Sequence, residues 1–193
     1  MHTTTASAVA PPFTNAKAAL RFAVNFKGSP AKPFVTRMMG GRLFVVSEYA
    51  GLDGAAQAGM IINAVGDLPR LHLSMLFAGS AHPMLPCDCN NLCCSGKKVN
   101  LDWLTALEEI RRGSDRDLKM IDREVRRLLI ARFYGRNVTL VKLAYRFNIH
   151  LNTICRYHKL LHTWLTGSRD YMGQDVKAWM WADERLRDVG IIG

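Results

Sequence analysis

Residues 139–164 read TLVKLAYRFNIHLNTICRYHKLLHTW, and the spacing of apolar side chains here sets the reading of the whole chain. Leu143, Ala144, Phe147, Ile149, Ile154 and Tyr157 recur so that two short helices joined by a tight turn would point them into one small core. Ala144 is small where the second helix crosses close to the first. Asn148 stands where the chain must reverse within about three residues, a position that favours Gly and tolerates Asn. Ile149 then fills the corner, and Ile154 and Tyr157 turn one side of the second helix inward. His150, Leu151, Asn152, Thr153, Cys155, Arg156 and Lys159 are left facing out.

This is the pattern of a DNA-binding helix-turn-helix, with the outward set in or beside a major groove. The same spacing would also serve a plain helical hairpin in an all-α core. Charge separates the two. From Val125 to Arg169 there is no Asp or Glu, while Arg126, Arg127, Arg132, Arg136, Lys142, Arg146, Arg156, Lys159 and Arg169 all fall there. An acid-free run of this kind repels itself unless something negative lies near, and nucleic-acid phosphate is the obvious partner.

The rest of the composition agrees. The 193 residues carry a formal charge of +10, and 49% of them are hydrophobic, enough for a core. The chain is long enough for one domain or for a domain with an appendage. No apolar run approaches the ~18 residues needed to cross a bilayer, so a soluble, cytoplasmic protein with no membrane partner is expected. Four of the five cysteines sit together and Cys155 lies alone, which is not a disulfide framework and points to a reducing compartment.

Taken in order, residues 1–33 are rich in Thr, Ala, Ser and Pro, lack the start of a secretory signal, and read as a flexible N-terminal tail. Residues 34–99 read as an N-terminal helical region with a Cys-rich loop. Within it, Phe34 to Ala50 has the residues of a small hairpin or buried extended segment. Ala56, Met60, Ile61 and Val65 make one helical stripe, and a second helix begins near Pro69, burying Leu71, Leu73, Met75, Leu76 and Phe77. The loop then holds Cys87, Asp88, Cys89, Cys93 and Cys94, with His82 before it. Zinc takes thiolates and imidazoles in a tetrahedron, so Cys87, Cys89, Cys93 and Cys94 are candidate ligands of a structural zinc. The spacing departs from the two separated pairs of familiar sites, and partly buried unligated thiols are the alternative.

Residues 100–168 read as the DNA-binding unit. Asn100 caps a helix with Leu101, Leu104, Leu107 and Ile110 on one side and Trp103 beside them. Gly113 ends it, and Ser114 with Asp117 resembles a capping box opening a long helix from Asp115 to Tyr134, which buries Leu118, Ile121, Val125, Leu128, Leu129 and Phe133. Gly135 ends that helix, and Thr139 caps the first helix of the pair. A supporting helix followed by a two-helix reader makes a three-helix unit. Residues 169–193 form a C-terminal helix in which Val176, Trp179, Ala182, Leu186 and Val189 share a stripe, either a lid on the core or a homodimer surface. The fold class expected is therefore mainly α, with a C-terminal helix-turn-helix bundle.

The segment from Leu128 to Ile149, LLIARFYGRNVTLVKLAYRFNI, resembles the promoter-reading part of sigma factors and, more loosely, bacteriophage late-gene antitermination proteins of the Q type. In those a helix ending in Tyr-x-Gly or a similar turn precedes Leu-Ala and a short reader. Here Asn148 stands where Gly is commoner, and His150 where a Ser or Thr cap is commoner. The resemblance implies a phage or prophage transcription regulator.

The leading expectation is a non-enzymatic, sequence-specific duplex-DNA binder. Asn152, Thr153 and Arg156 would meet base edges beside His150, since Asn reads adenine and Arg reads guanine through paired hydrogen bonds. Arg126, Arg127, Arg132, Arg136, Lys142, Arg146 and Lys159 would meet phosphates. The alternative is an antitermination factor docking its basic surface on RNA polymerase. A zinc- or thiol-dependent enzyme is disfavoured: Asp88 is the only acid of the cysteine loop, and neither a Ser-His-Asp arrangement nor His-Glu-x-x-His spacing occurs. His158 and His162, four apart, read as solvent-facing or stacked beside Trp164 rather than as a metal pair, and Cys155 as a small helix residue.

Overall fold

The computed structural model describes residues 13–26, 53–87, 89 and 95–193. The hairpin or extended segment expected at Phe34 to Ala50 lies outside them. The described residues form a mainly α-helical fold of eight helices and one small two-stranded sheet.

Within the stretch read as a flexible tail, Ala16–Asn25 is a helix, α1. Asn15 caps it, Oδ1 accepting from the Ala18 N–H at 2.9 Å. Ala16, Ala19, Leu20 and Ala23, spaced by three and four, are buried. The Ala-rich composition that suggested a tail is in fact a small-residue face, which lets α1 lie close to its neighbours. α2 (Asp53–Val65) buries Ala58, Ile61 and Val65, whereas Met60, expected inside, is exposed.

α3 (Arg70–Ser80) is apolar nearly all round and is buried accordingly. It packs against α1 and against the two helices introduced next as α4 and α8. The chain then forms an antiparallel ribbon, β1 (Met84–Pro86) with β2 (Lys97–Val99), Leu85 opposite Lys98.

α4 (Leu101–Gly113) starts at Asn100, whose Oδ1 accepts from the Asp102 and Trp103 N–H groups at 3.1 and 3.3 Å. Its inward face is Trp103, Ala106, Leu107 and Ile110, rotated from the expected one, and Leu101 is 73% exposed. The Trp103 indole N–H fixes the rotation by donating to the Ala78 carbonyl at 3.1 Å. The long helix expected from Asp115 to Tyr134 is shorter. Ser114 is the C-cap of α4, its hydroxyl donating to the Arg111 carbonyl at 2.7 Å, and α5 (Arg123–Phe133) begins only after Asp122. The Asp122 carboxylate accepts from the Glu124 and Val125 N–H groups, so the later cap captures the helix start. Leu118 and Ile121 reach the core from the intervening turn.

α6 (Leu140–Phe147) and α7 (Leu151–Thr166) follow, α7 packing on both α5 and α6. α8 (Gln174–Asp188) closes the molecule as a lid, burying Ala178, Ala182 and Leu186 against it, while Val176 and Val189 of the expected stripe are exposed. Gly173 permits the closure: a Cβ there would meet the Leu165 carbonyl oxygen at 2.2 Å. Phe13 bridges Ile192, so the described parts of both chain ends meet.

Candidate nucleic-acid interface

The two-helix stretch folds as its local chemistry dictates. The Thr139 hydroxyl accepts from the Lys142 N–H at 3.3 Å and opens α6. Asn148 takes the left-handed conformation, φ 51° and ψ 44°, which ends α6, and the Ile149 N–H returns to the Ala144 carbonyl at 3.0 Å. His150 caps α7, Nδ1 accepting from the Asn152 N–H at 3.3 Å. An imidazole thus does the work usually given to a hydroxyl or carboxylate. Leu143 and Ile154 are 1% and 0% exposed, and Ala144, Phe147, Ile149 and Tyr157 pack half-buried on the same core.

Once that core is closed, Asn152, Cys155, Arg156 and Lys159 lie exposed on one face of α7 at helical spacing, with His150 exposed at its start and Thr153 half-buried beside them. Arg136, Lys142 and Arg146 are exposed on the approach and on α6. None of these cations forms an ion pair among the described residues. Arg146 instead lies 5.5 Å from the Phe147 ring centroid.

Three residues expected on this face are engaged elsewhere. Arg126 is 4% exposed, ion-paired with Asp115, and donates to the Leu118 carbonyl at 2.9 Å and the Ser114 carbonyl at 3.2 Å. It is a strut between α5 and the preceding turn, buried and engaged within the chain. Arg127 pairs with Glu124 at 2.8 Å, and Arg132 donates to the Val138 carbonyl. The partners of the first two arginines, Asp115 and Glu124, lie ahead of the acid-free run that begins at Val125.

Two exposed residues were missed as surface features. Val141 and Tyr145, one turn apart on α6, are 63% and 92% exposed. Large apolar groups four apart are normally assigned to a core face; here Leu143 alone is fully buried from α6, which leaves the opposite side to these two. His158 and His162 lie on the flank of α7 with ring centroids 6.1 Å apart, and His162 packs edge-on to Phe133 rather than beside Trp164. Burial, then the nearby Arg132 and His162, hold the His158 imidazole below its ordinary pKa. The Trp164 indole N–H instead donates to Asp117 at 2.8 Å.

The structural zinc expected on Cys87, Cys89, Cys93 and Cys94 is overturned. Among the described residues no group of three or more His, Cys, Asp or Glu side chains gathers to hold a metal ion. On the described side Cys87 is half-buried and Cys89 exposed, and no further His, Cys, Asp or Glu side chains gather with them to complete a tetrahedral ligand set. Cys93 and Cys94 lie outside the described residues. Among those residues, too, no helix is long and apolar enough to cross a membrane.

Compared with known protein families, curated proteins and solved structures, the chain matches none.

Proposed function

We propose that the chain is a non-enzymatic, sequence-specific DNA-binding transcription regulator of phage or prophage type, with α6 and α7 acting as its helix-turn-helix. One observation carries this reading: Arg136, Lys142, Arg146, Arg156 and Lys159 are exposed without a carboxylate partner around a two-helix unit that contains no acid. Exposed cations without an ion pair are what a polyanion neutralises, releasing its own counter-ions. Asn152 and Arg156 have the donor and acceptor patterns that read adenine and guanine edges, with Thr153 beside them. Arg136, Lys142, Arg146 and Lys159 meet phosphates and set the register. Selection of bound sequences from random duplex DNA, at two salt concentrations, tests this. A single enriched motif that persists at the higher salt is expected, and recovery of unenriched DNA at both would defeat it.

A second reading has its own support. The exposed Val141 and Tyr145 beside Lys142 and Arg146 suit a protein partner, as for an antitermination factor acting on RNA polymerase. Polymerase retention by the wild-type chain but not by Tyr145→Ser, with weak binding of free duplex by both, would favour it over the first.

A further inference from the structure

A cleft of about 880 Å³ opens between α1, the end of α3, the end of α5 and the start of α8, and the proposed DNA face uses none of its residues. Its volume falls within the ~300–1,000 Å³ of small-molecule sites. Lys17 and Arg21, one turn apart on α1, are exposed at its edge, and neither forms an ion pair among the described residues. Trp179 of α8 supplies an aromatic wall, with the Lys17 Nζ 6.0 Å from its ring centroid.

At the inner end the Tyr134 hydroxyl donates to Asp175 at 2.7 Å. Burial, reinforced by the Asp175 charge, pushes that hydroxyl well above its ordinary pKa, so it stays a donor at neutral pH. Besides Tyr134, Asp175 has Trp179 and the Lys17 charge acting on it. Ser80, 4% exposed in the wall, has a hydroxyl with no hydrogen-bond partner. Buried polar atoms are rarely left so. The cleft therefore combines an aromatic surface, two exposed cations without an ion pair and, at its inner end, a carboxylate held by Tyr134, with the enclosed Ser80 hydroxyl behind the wall.

We propose that this cleft binds a ligand of the mononucleotide class, an aromatic base carrying phosphate, with the base against Trp179 and the phosphate at Lys17 and Arg21. The Lys17 ammonium lies over the indole ring, so a base stacking there would displace it from the ring face and leave it within reach of the ligand's phosphate. A phosphate alone would leave the aromatic wall unused, and an uncharged ring would leave the cations unused. The bound ligand would also touch Tyr134 and Gly135, from which the chain leads into α6, and so would sit where it can bias the DNA-binding unit. The site itself does not depend on the DNA reading.

Calorimetric titration of the full chain with AMP, adenosine and inorganic phosphate tests it. AMP is expected to bind at one site, with adenosine and phosphate each about tenfold weaker or more. Lys17→Ala and Arg21→Ala should each weaken AMP about five- to tenfold without shifting the melting temperature, since both side chains are exposed. Arg156→Ala should leave AMP binding unchanged, whatever it does to duplex binding. The proposal is overturned if AMP does not bind, if phosphate binds as well as AMP, or if Arg156→Ala weakens AMP while Lys17→Ala does not.

Discussion

The seam between α4 and α5 and the pair α6–α7 are both rich in arginine and lysine, and they treat charge in opposite ways. Along the seam arginines meet carboxylates: Arg111 pairs with Glu108 at 3.0 Å and Asp115 at 2.8 Å, Arg123 with Glu108 at 3.1 Å, Arg126 with Asp115, and Arg70 of α3 reaches Glu109 at 2.8 Å. On α6 and α7 the cations stand exposed with no such partner among the described residues. The first arrangement satisfies itself and ties helices together; the second leaves charge for something outside the chain. Residue type alone does not distinguish a structural arginine from a binding one. The partners it has within the chain, a carboxylate for Arg126 and a carbonyl for Arg132, do.

The largest expected effect lies in the seam. Arg126→Leu removes the Asp115 ion pair and one of the two donors to each of the Ser114 and Leu118 carbonyls, and should cost about 2–4 kcal/mol by chemical denaturation at neutral pH. The part that remains folded should bind duplex DNA as wild type does. A loss of duplex affinity with unchanged stability would move Arg126 into the binding set and collapse the distinction between the two regions. Next comes Arg156→Ala, which should lose about 1–3 kcal/mol on the preferred duplex and relax base choice at one position, with stability unaltered. Lys142→Ala should weaken every duplex alike and reduce the salt slope by about one, as a phosphate contact does. Equal losses on preferred and scrambled duplex in both variants would show that the face does not read sequence.

The smallest effect concerns pH. Hydrogen bonds and charge from Arg111, with Arg123, hold the Glu108 carboxyl below its ordinary value. A carboxylate whose folded pKa is depressed stabilises the fold above its unfolded pKa, about 4.3, and loses that contribution as pH falls through the folded value. Stability of the wild type should therefore fall more steeply than that of Glu108→Gln as pH drops from about 5 toward 3. Parallel pH profiles would mean that the Glu108 pairs contribute nothing.

Features fixed by a few neighbouring residues were legible in the sequence. Asn100 and Thr139 cap where a side-chain acceptor precedes an apolar repeat, Asn148 turns where a left-handed residue is needed, and Leu143 with Ile154 closes the small core. What escaped depends on distant partners or on competition between local signals. α1 escaped because alanine carries little hydrophobic signal, and its buried face becomes visible only when α3 lies against it. The break between α4 and α5 escaped because Ser114 and Asp122 both have capping chemistry; Ser114 closes α4, and the Asp122 cap opens α5 with Leu118 and Ile121 packed into the core ahead of it. The burial of Arg126 escaped because Asp115 returns to it across a turn. The cysteine cluster misled because closeness in sequence is not convergence of ligands in space, and among the described residues no such group gathers around Cys87 and Cys89.

The central claim is that the unpaired cations of α6 and α7 are held for the phosphates of a double helix. Duplex affinity measured as a function of salt concentration tests it most directly. With Arg136, Lys142, Arg146 and Lys159 on phosphates, log affinity should fall linearly against log salt with a slope of about −3 to −5. A slope near zero, or no duplex binding at low salt, would contradict it.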